Sequence, residues 1–261
     1  GSDTVTTGNG ADDVIGDNGV IEYTDGIAVR LSTNDIDATT TGIDTIMVSD
    51  GDNRVLAGLS SDDVTSTNGV DVVLGDNGEL TYVNNVLVNA TSSEASAGGD
   101  DTLTLGDGTN IVIAGSGIDT ITTLSGTDTI LGDNGQLVWS ATGIIESVTA
   151  TDLTNGAGDI IKAGDGDNII VGATGNDDIE VGIDIDTILG DGGVAIYNAG
   201  VLVSLSSDAA EAGDDTITVA NGNNIIAGGA GVDTITTTDG VDIILGDNGQ
   251  LVWSATGIIE S

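Results

Sequence analysis

The chain has no proline, cysteine, histidine or phenylalanine, and only five aromatic residues among 261. Lacking histidine and cysteine, it has no imidazole base, catalytic triad or thiol nucleophile. Neither a G-x-S-x-G elbow nor an H-E-x-x-H metal motif occurs, so the sequence gives no support to an enzyme. The lack of cysteine is compatible with secretion. Basic residues number three, Arg30, Arg54 and Lys162, against 43 acidic ones. That scarcity excludes nucleic acid as a partner and gives an anionic membrane nothing to attract. No apolar run approaches transmembrane length, so membrane insertion is excluded as well.

What is present is 42 glycines, 38% hydrophobic residues and a formal charge of −40. Self-repulsion of that size expands or disorders a chain unless its carboxylates are neutralised. The Ile, Val, Leu and Ala residues are nevertheless spread evenly, as a folded chain requires. Divalent cations are the missing counter-charge.

Internal repetition is pervasive. Gly213, Gly222, Gly231, Gly240 and Gly249 fall nine residues apart. Two positions after the first four stand Asp215, Asn224, Asp233 and Asp242, and two positions further Ile217, Ile226, Ile235 and Ile244. The same frame carries Asp101, Asn110, Asp119 and Asp128, then Asp44, Asn53, Asp62 and Asp71, then Asp159, Asn168, Asp177 and Asp186. The opening residues join it through Asp3 and Asp12.

A longer period lies on top. The signature [IL]-G-D-[NG]-G recurs at 15–19, 74–78, 131–135, 189–193 and 245–249. An alternating stretch follows each copy, such as ELTYVNNVLVNA or VAIYNAGVLVSL, and reads as a β-hairpin around a short turn. All five aromatics, Tyr23, Tyr82, Trp139, Tyr197 and Trp253, sit just before that turn. They either contact neighbours or cover the edge where the rungs stop. The units so defined are 1–41 (partial), 42–98, 99–156, 157–212 and 213–261. The chain begins and ends mid-pattern, as expected of part of a larger array.

Each nine-residue rung combines glycine, which tolerates tight turns, with one Asp and a short strand such as DTIT. Calcium takes six to eight oxygens from carboxylates and backbone carbonyls, and stacked glycine-rich loops offer such a set. Alternate rungs would lie on opposite sides of a flattened coil, so loops of one side recur every 18 residues, pairing Asp101 with Asp119 and Asp215 with Asp233.

GGAGVDTIT at 228–236 fits every position of G-G-x-G-x-D-x-U-x, and AGSGIDTIT at 114–122 misses only the first glycine. On these residues the chain resembles the RTX (hemolysin-type) calcium-binding nonapeptide repeat. The resemblance implies an all-β fold, a calcium-bound parallel β-roll or β-solenoid of nine-residue rungs, here interrupted by a hairpin at each signature. It implies several Ca2+ ions, each shared by an Asp carboxylate and loop carbonyls of successive same-side turns. Carried onto this chain, the ligands are Asp44, Asp62, Asp101, Asp119, Asp159, Asp177, Asp215 and Asp233, followed by Asp12, Asp71, Asp128, Asp186 and Asp242.

Three departures from the family pattern stand out. Most rungs lack the leading double glycine. The second rung of each complete unit has Asn53, Asn110, Asn168 or Asn224, either as neutral ligands or as a hydrogen-bonded ladder. Asp133 and its signature equivalents Asp76, Asp191 and Asp247 either close a last metal site or merely turn the chain into the hairpin. The functional expectation is a calcium-stiffened rod, on the order of 50–70 Å for this stretch, in a secreted surface or matrix protein. It would serve as an adhesin stalk, surface layer or fibre, self-associating through roll ends and hairpins, with export by a one-step (type I) route. Two alternatives remain: a module binding ice or a glycan through its Thr-rich strands, and a non-catalytic appendage of a secreted enzyme.

Overall fold

A computed structural model describes residues 1–33, 42–208 and 213–254. Residues 34–41, 209–212 and 255–261, the last holding the second half of the hairpin expected from the sequence, lie outside the described residues. Among the described residues every regular element is a strand, and no helix is long and apolar enough to cross a membrane.

The rungs build two parallel nine-stranded sheets. The first contains Thr102–Thr104 and Thr120–Thr122, paired so that Leu103 lies on Ile121, 18 residues on. The second contains Ile111–Ile113 and Thr129–Leu131, with Val112 on Ile130. Columns of central aliphatics, including Ile46, Val64, Leu103 and Ile121 from one sheet and Val55, Val73, Val112 and Ile130 from the other, form one thin core with no exposure at these positions. A chain with one inward aliphatic side chain per strand thus buries it against the opposite wall.

The signature breaks the sequence frame but not the stack. Leu103 also pairs with Val64, and Val112 with Val73, across the intervening hairpin. The excursions pair with one another in a third, antiparallel nine-stranded sheet. Three of the four described hairpins turn in two residues, Asp25 and Gly26, Asn84 and Asn85, and Ala199 and Gly200, all at positive φ, the geometry that matches strand twist in tight hairpins; the fourth uses the longer connection 140–144. Because each stacked layer takes two rungs and the hairpins lie alongside, the nine strands span about 40 Å, shorter than the sequence expectation.

The hairpin sheet covers the outer face of the second rung sheet. Leu31, Leu80, Leu137 and Leu205 pack on Leu56, Leu74, Ile113, Leu131 and Leu189 in a second core. Strands of the second sheet are therefore buried on both faces, as in Val72–Leu74 and Ile111–Ile113, and read as continuous apolar runs. First-sheet strands such as Thr102–Thr104 bury only the middle residue. Tyr82, Trp139, Tyr197 and Trp253 pack on this second core. Tyr23 is exposed and donates to Asp13 Oδ2 at 2.5 Å.

Candidate metal centres

The rungs place one polar residue immediately before each strand, and these residues form a column on each flank of the roll. On the flank leading into the first sheet the column is all aspartate: Asp3, Asp44, Asp62, Asp101, Asp119, Asp159, Asp177, Asp215 and Asp233. The backbone N–H of each donates to Oδ1 of the next at 2.7–3.1 Å. On the flank leading into the second sheet the column alternates: Asp12, Asn53, Asp71, Asn110, Asp128, Asn168, Asp186, Asn224 and Asp242. It makes the same backbone-to-Oδ1 bonds at 2.8–3.3 Å. The separations of 18 residues within a unit and 38–41 across a hairpin show one continuous column on each side.

The second carboxylate oxygen is the telling atom. Oδ2 of Asp12, Asp44, Asp62, Asp71, Asp101, Asp119, Asp128, Asp159, Asp177, Asp186, Asp215 and Asp233 is buried and has no hydrogen-bond partner. A buried anionic oxygen without a partner is strongly unfavourable, so the fold requires a proton or a cation there. A Cβ built on Gly16, Gly75, Gly132 or Gly190 would collide with Oδ2 of Asp44, Asp101, Asp159 or Asp215. Each would collide equally with a carbonyl oxygen, of Ala57, Ala114, Gly172 or Gly228 respectively. Carboxylate and carbonyl oxygens thus face the same small space, kept open by the signature's first glycine.

Burial pushes these carboxyls up: Asp62 and Asp215 to about 7, Asp119 to about 8, and Asp159, which also faces Asp133 and Asp119, to about 11. Asp101 and Asp177 are raised well above the usual range for the same reason. On the mixed flank burial raises Asp128, and raises Asp186 to about 7, while hydrogen bonds from Asn110 and Asn168 oppose the rise. Among the described residues no three carboxylates converge on one point. Each ion would therefore be held by one or two carboxylates with backbone carbonyls, an all-oxygen set suited to the hard Ca2+ ion. The basic residues are already engaged. Arg54 pairs with Asp13 at 2.5 Å, Arg30 with Glu79 at 2.7 Å, and Lys162 with Glu180 at 3.3 Å.

The remaining expected positions divide. Asp242 accepts from both the backbone N–H and Nδ2 of Asn224, at 2.9 and 3.1 Å. Asp133 stands outside the columns. Its Oδ1 accepts from Ala157 N–H at 3.2 Å and its Oδ2 from Thr174 N–H at 2.7 Å. Asp76 does the same with Gly99 and Ser116, at 3.1 and 2.5 Å, and Asp191 with Gly213 and Ala230. Asp76, Asp133 and Asp191 are therefore amide clamps, each tying its unit to two rung loops of the next, a role the sequence reading did not foresee. Its last glycine has a purpose too. A Cβ at Gly78, Gly135 or Gly193 would collide with the returning hairpin strand at the carbonyl of Thr91, Thr149 or Ser206.

The asparagines keep the column's Oδ1 bond and use Nδ2 as a donor. Asn53 Nδ2 reaches Ser49 O at 2.9 Å, Gly51 O at 3.1 Å and Asp71 Oδ1 at 2.9 Å. Asn168 repeats this with Gly164 O, Gly166 O and Asp186 Oδ1, at 3.1, 2.9 and 3.2 Å.

Comparison with curated proteins and with solved structures gave no match. The family model of the RTX calcium-binding nonapeptide repeat (4 copies) matches residues 1–20, 39–78, 97–121, 105–136, 153–193, 209–235 and 218–250, well over half of the chain. Its repeats are calcium-binding motifs that form β-rolls, and the proteins that carry them are typically secreted. With rungs, roll and carboxylate columns in place, the chain belongs to the RTX calcium-binding nonapeptide-repeat family, as a calcium-binding structural repeat region.

Proposed function

We propose that this region is a structural rod of a secreted surface or matrix protein, folded and stiffened by Ca2+ bound along its carboxylate columns. The single observation that carries the reading is the row of buried, partnerless Oδ2 atoms in a chain of net charge −40. Ligands that bind only the folded state add their binding energy to folding. In low cytosolic calcium the acidic chain repels itself and stays export-competent, and in millimolar extracellular calcium it folds. The parallel sheets have strand edges at Thr4–Thr6 and Thr234–Thr237 onto which further rungs, of the same chain or another, can add. This supports an adhesin stalk, a surface layer or a fibre.

The ligand-platform alternative finds less support. The Thr rows Thr102, Thr104, Thr120 and Thr122, and Thr216, Thr218, Thr234 and Thr236, are in register. They are separated by strands carrying Ile160 and Lys162, and Asp178 and Glu180, so no unbroken Thr face exists among the described residues. The test is a calcium titration followed by circular dichroism, with light scattering and electron microscopy on the same samples. Coil-to-sheet conversion at millimolar calcium, reversed by chelator, is the expected result, with fibres appearing if the rod self-associates. A chain already folded in chelator at neutral pH contradicts the reading.

A further inference from the structure

Asn and Asp have nearly the same shape, and the mixed flank sets them in one column with one backbone bond. The only difference is the outer atom. At Asp12, Asp71, Asp128 and Asp186 the Oδ2 is buried and partnerless. On the asparagine rungs the corresponding atom is an N–H donor, and it spends its hydrogens on loop carbonyls. For Asn53 these belong to Ser49 and Gly51, and for Asn168 to Gly164 and Gly166, residues four and two places earlier. Asn110 makes the first of these bonds, to Gly106 O at 3.1 Å.

We infer that the asparagine rungs are cation-free by construction, the side-chain NH2 standing where a calcium ion would otherwise draw the loop carbonyls together. This rests on the reading that the aspartate rungs bind calcium. An amide donor and a cation cannot both use the same carbonyl lone pairs, and a neutral Asn brings no charge to offset the loss of the ion's water. The amide also reaches across to the next carboxylate. Asn53, Asn168 and Asn224 each donate Nδ2 to Oδ1 of Asp71, Asp186 and Asp242, at 2.9, 3.2 and 3.1 Å. The mixed flank is thus an alternation of amide-closed and ion-closed loops, whereas the aspartate flank needs an ion at every loop. Calcium stoichiometry is therefore set by the count of aspartates in the columns, below one ion per nonapeptide.

The test compares Asn168→Ala, Asn168→Asp and Asp186→Asn with the parent, in the full chain. Bound calcium is counted by isothermal titration and native mass spectrometry, and folding is followed by circular dichroism with and without chelator. The expected counts are unchanged for Asn168→Ala, one more for Asn168→Asp and one fewer for Asp186→Asn. Asn168→Asp should also need more calcium to fold. Loss of an ion in Asn168→Ala makes Asn168 a ligand and overturns the inference. So does an Asn168→Asp chain that gains no ion or stays unfolded at saturating calcium. Failure of the underlying reading looks different, because the parent itself would then bind no calcium and fold in chelator.

Discussion

The two flanks of the roll share the same 18-residue spacing and the same backbone-to-Oδ1 column. One is built wholly of aspartate, while the other alternates aspartate with asparagine. Hydrogen bonding alone therefore does not call for aspartate, because asparagine Oδ1 also accepts the column bond, at 3.0–3.3 Å against 2.7–3.1 Å on the aspartate flank. What aspartate adds is an unneutralised oxygen. The aspartate flank has eight such oxygens, from Asp44 to Asp233, where the mixed flank has four, at Asp12, Asp71, Asp128 and Asp186. On the proposed reading the first flank demands calcium at every loop, and the second partly closes itself.

Removing calcium and changing pH gives the largest test of that contrast. Burial raises Asp62, Asp119 and Asp215 to about 7, about 8 and about 7, above the value of about 4 in an unfolded chain. The native state then holds more protons than the unfolded one. Without calcium its stability is greatest below about pH 4 and falls as pH rises through the native values, up to about pH 8. In chelator, acidification from about pH 8 to about pH 5 should restore β-sheet dichroism, and a chain still coiled at the lower pH contradicts this. With calcium present the trend reverses, since protons compete for the same oxygens.

Next in size are truncations at matched rungs. Asp119→Ala removes a proposed ion ligand and the acceptor for Asp101 N–H, and should cost on the order of 3–5 kcal/mol in saturating calcium. Asn110→Ala removes only hydrogen bonds, at about 1–3 kcal/mol. Urea unfolding of both proteins reads the difference, and equal losses would erase the distinction between the flanks. A milder exchange is Asp119→Asn, which imports the mixed-flank solution. It should bind one ion fewer yet begin to fold at lower calcium than the parent. A higher calcium midpoint would show that the ion at this rung contributes more than charge relief.

The smallest effect is conformational. Two places before the column residue the backbone turns through positive φ, usually at glycine, as at Gly117 and Gly166. Ser60 on the aspartate flank and Asp184 on the mixed flank adopt φ of 88° and 100° instead. Asp184→Gly should raise stability by about 1 kcal/mol by removing this strain and a neighbouring charge. A drop in calcium-saturated melting temperature would argue for a role of the Asp184 side chain.

Much of this was readable from periodicity. The nine-residue frame marks the rungs, alternate rungs mark the flanks, and the column residue marks where a ligand can sit. The packing of the hairpins was less legible, although one signal pointed to it. Outward positions are Thr in strands such as TIT at 120–122, but Val, Leu or Ile in VVL at 72–74 and IVI at 111–113. An apolar outer face repeating down one sheet means that another layer covers it. The clamp role of Asp76 was not legible at all, because its amide partners lie 23 and 40 residues away. The asparagine question stayed open in sequence because both answers use the same side chain, and only the placement of Nδ2 separates them.

The clamps have a mechanical consequence. In a roll, a pull along the axis loads the hydrogen bonds between neighbouring rungs in series, so the weakest junction alone would set the tensile limit. Asp76, Asp133 and Asp191 each fasten a hairpin entry to two loops of the following unit. The hairpin sheet also runs unbroken past the same junctions. Each clamp holds two successive same-side loops of the next unit, so it doubles both the seam and the first junction beyond it, and a peel at either place must break carboxylate–amide bonds as well as the ladder.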